Sequence, residues 1–158
     1  MVDERKDFDS LRAAMKKILI LDEYPSIREF LAEELSAEGY LVMPAGNPAL
    51  TGKLLFDFHP DLVIMDIFIN GKLQWDLVEA IRKENPALPV LIFTAECPPG
   101  DDHPPCGVSF VSKSPILDEL KKRIQDKIGP LVEGRGVDRS SMNISANGRG
   151  DKEGPMKG

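Results

Sequence analysis

Five short apolar runs, each followed by a stretch of different period, constrain this chain's fold more than any other feature of its sequence. They occupy residues 18–21, 40–43, 62–65, 90–93 and 108–111. Three are almost unbroken branched or long aliphatics, as expected of strands buried on both faces. The segments between them have helical spacing. Ile27, Phe30, Leu31 and Leu35 fall on one helical face, and Gly39 follows as a natural stop. Asn47 reads as an N-cap with Pro48 at the first helical position, and Leu50, Leu54, Leu55 and Phe58 share a side. Leu77, Val78 and Ile81 mark a third helix, which Asn85-Pro86 ends. Ser114-Pro115 opens a last one, striped by Leu117, Leu120, Ile124 and Ile128. Its acids, Asp118 and Glu119, come early and Lys121, Lys122, Arg123 and Lys127 come late, which suits the helix dipole. Such alternation builds βαβ units with right-handed crossovers, so a parallel sheet covered by helices on both faces is expected.

The fourth connection breaks the pattern. Residues 95–106 hold Pro98, Pro99, Gly100, Pro104 and Pro105, and no regular helix accommodates that spacing. A Pro-rich loop is expected there. Residues 1–15 read as an N-terminal extension in which Phe8, Leu11 and Met15 have the spacing of a short docked helix. Residues 16–128 form the domain. Residues 129–158 are rich in Gly, Ser, Asn, Arg and Lys without periodicity, too polar to offset their ordering entropy, and a disordered tail is expected. That tail is too short to bury the core of an output domain. A net charge of −6 argues against a nucleic-acid phosphate backbone as partner, because such binding needs a concentrated basic face. No apolar run approaches the roughly 20 residues of a membrane span. The first residues lack a signal-peptide core and there are two cysteines, so a cytoplasmic home is expected.

Ligands of an open parallel sheet bind beyond the carboxyl ends of its strands, where strand order reverses. The first strand runs into Asp22-Glu23 and the third into Asp66, so three carboxylates are expected in one crevice. Like charges that close repel one another unless a cation joins them. An all-oxygen site of this kind suits a hard divalent ion such as Mg²⁺. Thr94 ends the fourth strand and Lys113 follows the fifth, bringing a hydroxyl and an ammonium to the same edge. Each residue alone has a structural explanation, as a loop acid, a helix cap or a strand-end polar group. Their convergence is what phosphoryl transfer requires. Cys97, His103 and Cys106, with Asp101 and Asp102 between, match no closed zinc site and read as a loop with free thiols.

Together these residues resemble the receiver domain of two-component response regulators, over about residues 16–128. The strongest stretch is Ile18-Leu-Ile-Leu-Asp22-Glu23-Tyr-Pro25-Ser-Ile-Arg28-Glu, followed by Pro60-Asp-Leu-Val-Ile-Met-Asp66. The resemblance implies a flavodoxin-like, doubly wound five-stranded sheet of order 2-1-3-4-5. By position it implies that Asp66 is the phosphoacceptor, and that Asp22, Glu23, Asp66 and the main-chain carbonyl of Phe68 hold Mg²⁺. Thr94 matches the switch hydroxyl, Lys113 the lysine that pairs with the phosphoryl group, and Phe110 the rotamer-switching aromatic. A histidine kinase or phosphotransfer protein is the implied donor, with a protein partner downstream.

Several positions depart from that pattern. Glu23 stands where Asp is commoner, and its extra methylene pushes the oxygen outward. Asn70-Gly71 supplies turn chemistry at a shifted place after Asp66. Ser114 replaces a proline after Lys113, so no cis peptide is expected there. The Pro-rich loop replaces the fourth helix, leaving a sheet edge to be covered by a partner, a second copy of the chain or the N-terminal segment. A phosphorylated signalling module is the leading expectation, and a degenerate receiver that binds partners without phosphorylation is the alternative. A phosphatase with an aspartyl nucleophile ranks low, because its second acid is wanted where Phe68 stands.

Overall fold

The computed structural model describes residues 4–95 and 107–129. The expected Pro-rich loop, the tail beyond Gly129, and the side chains of Phe8 and Leu11 lie outside the described residues. A helix, α1 (Glu4–Ala14), precedes the first strand, β1 (Lys17–Leu21). Then follow α2 (Pro25–Ala37), β2 (Leu41–Ala45), a single 3₁₀ turn at Pro48–Leu50, α3 (Thr51–Phe58) and β3 (Leu62–Met65). A two-stranded hairpin, β4 (Phe68–Ile69) and β5 (Lys72–Leu73), leads into α4 (Trp75–Glu84). Strand β6 (Val90–Thr94), strand β7 (Val108–Ser112) and α5 (Asp118–Ile128) complete the described chain.

The main sheet is parallel, in the order β2-β1-β3-β6-β7. Counting only its own strands, that is the expected 2-1-3-4-5. Side chains alternate across it, as a period of two dictates. Ile18, Ile20, Leu62, Ile64, Leu91 and Phe93 face one way and pack with Leu31 and Leu35 of α2 and Leu120 and Ile124 of α5. Leu19, Leu21, Val63, Met65, Val90 and Ile92 face the other way and pack with Val78 and Ile81 of α4. Strands β1, β3 and β6 are therefore apolar apart from Lys17 and Thr94 at their ends, because helices cover both their faces.

Local signals mostly act where the sequence placed them. Helix α2 ends in a Schellman arrangement: Tyr40 N–H donates to Leu35 O at 3.2 Å and Gly39 N–H to Ser36 O at 3.0 Å, with Gly39 at φ 104°. The Asn47 side chain accepts from Ala49 N–H at 2.9 Å, capping the 3₁₀ turn rather than α3 itself. Leu50 is consequently exposed instead of sharing a buried stripe with Leu54 and Leu55. Helix α5 begins at Asp118, later than Ser114-Pro115 suggested, because the Ser114 hydroxyl accepts from Ile116 N–H at 3.1 Å and holds a turn first. The β4–β5 hairpin was expected only as a turn. Asn70 (φ 55°) and Gly71 (φ 74°) both take the left-handed conformation that a two-residue hairpin turn needs. No cis peptide bond occurs among the described residues.

The central strand gives a direct test of this core. Ile64 is 1% exposed, while Phe56 on α3 is 76% exposed. Ile64→Ala is expected to lower the unfolding free energy by about 2–5 kcal/mol in a urea titration. Phe56→Ala should stay within about 0.5 kcal/mol of the parent. Equal effects of the two would mean that the sheet is not the core.

Candidate functional site

Because the strands are parallel, their carboxyl ends open on a single edge. The register sets Leu21 level with Met65 and Thr94 level with Ser112. Asp22 and Asp66 therefore leave the sheet together, with Asp66 N–H donating to Leu21 O at 3.0 Å. At the far side Lys113 N–H donates to Thr94 O at 2.8 Å. Asp22, Asp66 and Thr94 are the buried polar residues of this edge, at 2%, 6% and 5% exposure.

Lys113 joins the acids. Its Nζ lies 2.8 Å from Asp22 Oδ2 and 2.6 Å from Asp66 Oδ2, with little of its side chain exposed. Burial works to lower its pKa. The hydrogen bonds to Asp22 and Asp66, together with their negative charge, outweigh that and hold it above the ordinary 10.5. The second oxygen of each acid is also occupied, Asp22 Oδ1 by Tyr24 N–H at 2.9 Å and Asp66 Oδ1 by Phe68 N–H at 3.0 Å. The Tyr24 ring lies 5.5 Å from Lys113 Nζ, within cation–π range.

Glu23, Asp66, Phe68, Thr94 and Lys113 line one cleft of about 250 Å³, with Tyr24 and Ala95 completing its wall. The structure thus gathers the acids, the hydroxyl and the ammonium that the sequence singled out. Glu23 is arranged differently from Asp22: its Oε2 accepts from Asn70 N–H at 3.0 Å, at the turn of the hairpin. Its longer side chain is anchored to β4–β5 rather than directed at Asp22 and Asp66. Accordingly, no group of three or more His, Cys, Asp or Glu among the described residues stands ready-made to hold a metal ion. The donor chemistry nonetheless suits a hard divalent cation, since carboxylate oxygens line a polar cleft and a lone ammonium offsets two of the acids.

Phe110 is half-buried on β7 and packs edge-on against Trp75, with ring centroids 6.0 Å apart and planes at 73°. Trp75 opens α4, and His59 closes α3 in the left-handed conformation at φ 52°. Three contributors were not foreseen: Tyr24, Asn70 and Arg28, whose Nη1 donates to Asp22 O at 2.7 Å. Two of these act through backbone N–H groups, which leave no trace in residue type. No described helix is long and apolar enough to cross a membrane.

Comparison with known proteins agrees with this geometry. Residues 18–104 match the family model of the response regulator receiver domain, a span that takes in Asp22, Glu23, Asp66 and Thr94. The chain is 30% identical over 79 residues to the probable transcriptional regulatory protein TcrX of Mycobacterium tuberculosis, covering half of this chain and 34% of that protein. Half of this chain also matches the DNA-binding transcriptional regulator NtrC of a Bradyrhizobium species at 35% identity, covering 16% of that protein, so the chain spans about a third or less of these two relatives. Among solved structures, the response regulator TrrA of Thermotoga maritima in complex with Mg²⁺–BeF is 35% identical with a TM-score of 0.65, covering 71% of this chain and 98% of that one. A second structure shows TrrA in complex with the histidine kinase ThkA, matching at 35% identity and a TM-score of 0.65 over 72% of this chain and 99% of that one. With its sheet order, its edge of acids and these relatives in agreement, the chain belongs to the response regulator receiver domain family.

Proposed function

We propose that this receiver accepts a phosphoryl group on Asp66 from a histidine kinase or phosphotransfer protein and passes the change to a protein partner. The observation that carries the reading is the Asp66 carboxylate, buried to 6% exposure yet facing a polar cleft with an ammonium 2.6 Å from one oxygen. In the transfer an Asp66 oxygen forms a bond to phosphorus while the bond from phosphorus to the donor's imidazole nitrogen breaks. The imidazole leaves with the electron pair, as neutral imidazole where its other ring nitrogen already carries a proton and otherwise by taking a proton from water. Asp66 must release Lys113 from the attacking oxygen, and Lys113 then pairs with the incoming phosphoryl oxygens at the same place. The Thr94 hydroxyl, on the same cleft wall, supplies a hydrogen bond to the phosphoryl group, and Phe110 follows by shifting against Trp75. Bound Mg²⁺, held by Asp22, Glu23, Asp66 and the Phe68 carbonyl, would supply charge neutralisation during transfer. A cytoplasmic location suits this reading, as do flanking segments at 1–15 and 129–158 that lie outside the phosphoacceptor unit.

One observation favours the degenerate alternative, in which partners bind without phosphorylation. Glu23 is engaged by Asn70 N–H, so joining the other acids costs that bond. Mass spectrometry after treatment with a small-molecule phosphodonor separates the two. A gain of one phosphoryl group is expected, dependent on Mg²⁺ and absent in Asp66→Asn, which is isosteric and keeps the fold. An unmodified parent protein would leave the degenerate reading standing.

Glu23→Asp shortens the side chain past the reach of Asn70. The Asn70 amide is then expected to exchange with solvent several-fold faster, roughly the loss of one net hydrogen bond of about 1 kcal/mol. Mg²⁺ affinity, measured by calorimetry, should rise because the carboxylate no longer leaves a partner. Unchanged amide exchange would show that the hairpin does not depend on Glu23.

Lys113 also sets a pH dependence. Its folded pKa is raised above the unfolded 10.5, so its contribution to stability is full below about 10.5 and disappears as pH rises through the folded value. In urea titrations the stability gap between the parent and Lys113→Gln should be constant from neutral pH to about 10 and narrow above it. A gap independent of alkaline pH would remove Lys113 from its place between the acids.

A further inference from the structure

Arg28 sits in the first turns of α2 and takes no part in the cleft, yet two observations tie it to the segments that leave β1 and β2. Its Nη1 donates to the Asp22 main-chain carbonyl at 2.7 Å. Its guanidinium also lies where Gly46 would carry a side chain: a Cβ built there would stand 2.5 Å from Nη1, 2.9 Å from Cζ and 3.3 Å from Nη2. Real side chains do not approach that closely, so with any residue larger than glycine at position 46 the guanidinium has to swing away from its place.

The Asp22 carbonyl lies just past the end of β1, where ladder partners run out, while its N–H still donates to Ala45 O of β2 at 3.1 Å. Arg28 therefore satisfies an otherwise terminal acceptor, and its own N–H donates to Tyr24 O at 3.1 Å, closing the same turn. A guanidinium is always charged and presents its donors in a fixed plane, which makes it a rigid brace between two loops.

We propose that Arg28 is a positioning residue: lying over Gly46 and holding the Asp22 carbonyl, it fixes the backbone from which the Asp22 carboxylate is aimed at Lys113. The function of that aim rests on the phosphotransfer reading above. The brace itself does not. The guanidinium occupies the space that a side chain at position 46 would take, so the brace makes the two positions one unit whose substitutions are expected not to add.

A double-mutant cycle tests this on the full chain, with Arg28→Met, Gly46→Ala and the pair. Two readouts are followed: the urea midpoint without metal, and Mg²⁺ affinity by calorimetry. Gly46→Ala is expected to displace the guanidinium and so match Arg28→Met, each lowering Mg²⁺ affinity by about tenfold, the scale seen when the support of a metal ligand is removed. The double variant should be no worse than Arg28→Met alone in either readout, because the group that the new methyl would strike is gone. Effects that add in the double variant, or a Gly46→Ala protein that keeps the parent midpoint and affinity, would overturn the brace. A parent protein that binds no Mg²⁺ while the midpoints remain non-additive would overturn the phosphotransfer reading and leave the brace supported.

Discussion

The ion triad of Lys113 with Asp22 and Asp66 is the interaction on which the arrangement of this molecule turns. Two carboxylates at 2% and 6% exposure, carried on neighbouring strands, would repel each other and lack water to solvate them. One ammonium within 2.8 Å of both lies between them and offsets that repulsion. Such a buried group is costly to form and still costlier to break, since removing one partner leaves an unpaired buried charge at about 3–5 kcal/mol. Stability and chemistry are thus opposed at this edge. The contact that lets Asp66 be buried is the one it must give up before that oxygen can take another partner.

Everything else about the edge serves to place those three groups. The register that levels Leu21 with Met65 comes from apolar strands whose two faces pack on different helices. A slip by one residue would turn every side chain of β3 to the wrong face, so the level of Asp66 is fixed by the core and not by the site. The remaining oxygens of the two acids are held by backbone N–H groups of Tyr24 and Phe68, two residues beyond each acid. The same local turn is used twice, at the ends of two different strands.

Much of this was legible in the sequence, for reasons that can be named. Residues 18–21 and 62–65 announced buried strands because nothing polar interrupts them, and the acids that follow could then be placed on one edge by topology alone. Gly39 was readable as a helix stop because few other residues tolerate φ 104°. What escaped was set by geometry between segments. That Glu23 would reach Asn70, across 47 positions, depends on how far a hairpin leans toward the first loop. Leu50 was misjudged because Asn47 caps a 3₁₀ turn, which rotates the leucine outward before α3 begins. The start of α5 was misplaced because Ser114 spends its hydroxyl on Ile116 N–H, a local bond that competes with the helix.

The strand order carries a consequence for how the chain comes to be folded. Strand β1 lies inside the sheet, between β2 and β3, so the earliest strand waits for β3 before both its edges are paired. The cation that neutralises the acids comes later still, 47 positions after Asp66. In chain order, then, Asp22 and Asp66 both precede their counter-charge, which comes with the residue after β7. Non-local pairing of this kind is slow to form. The edge that would meet a phosphodonor is completed only with the last strand, so a chain halted midway presents carboxylates but no finished cleft.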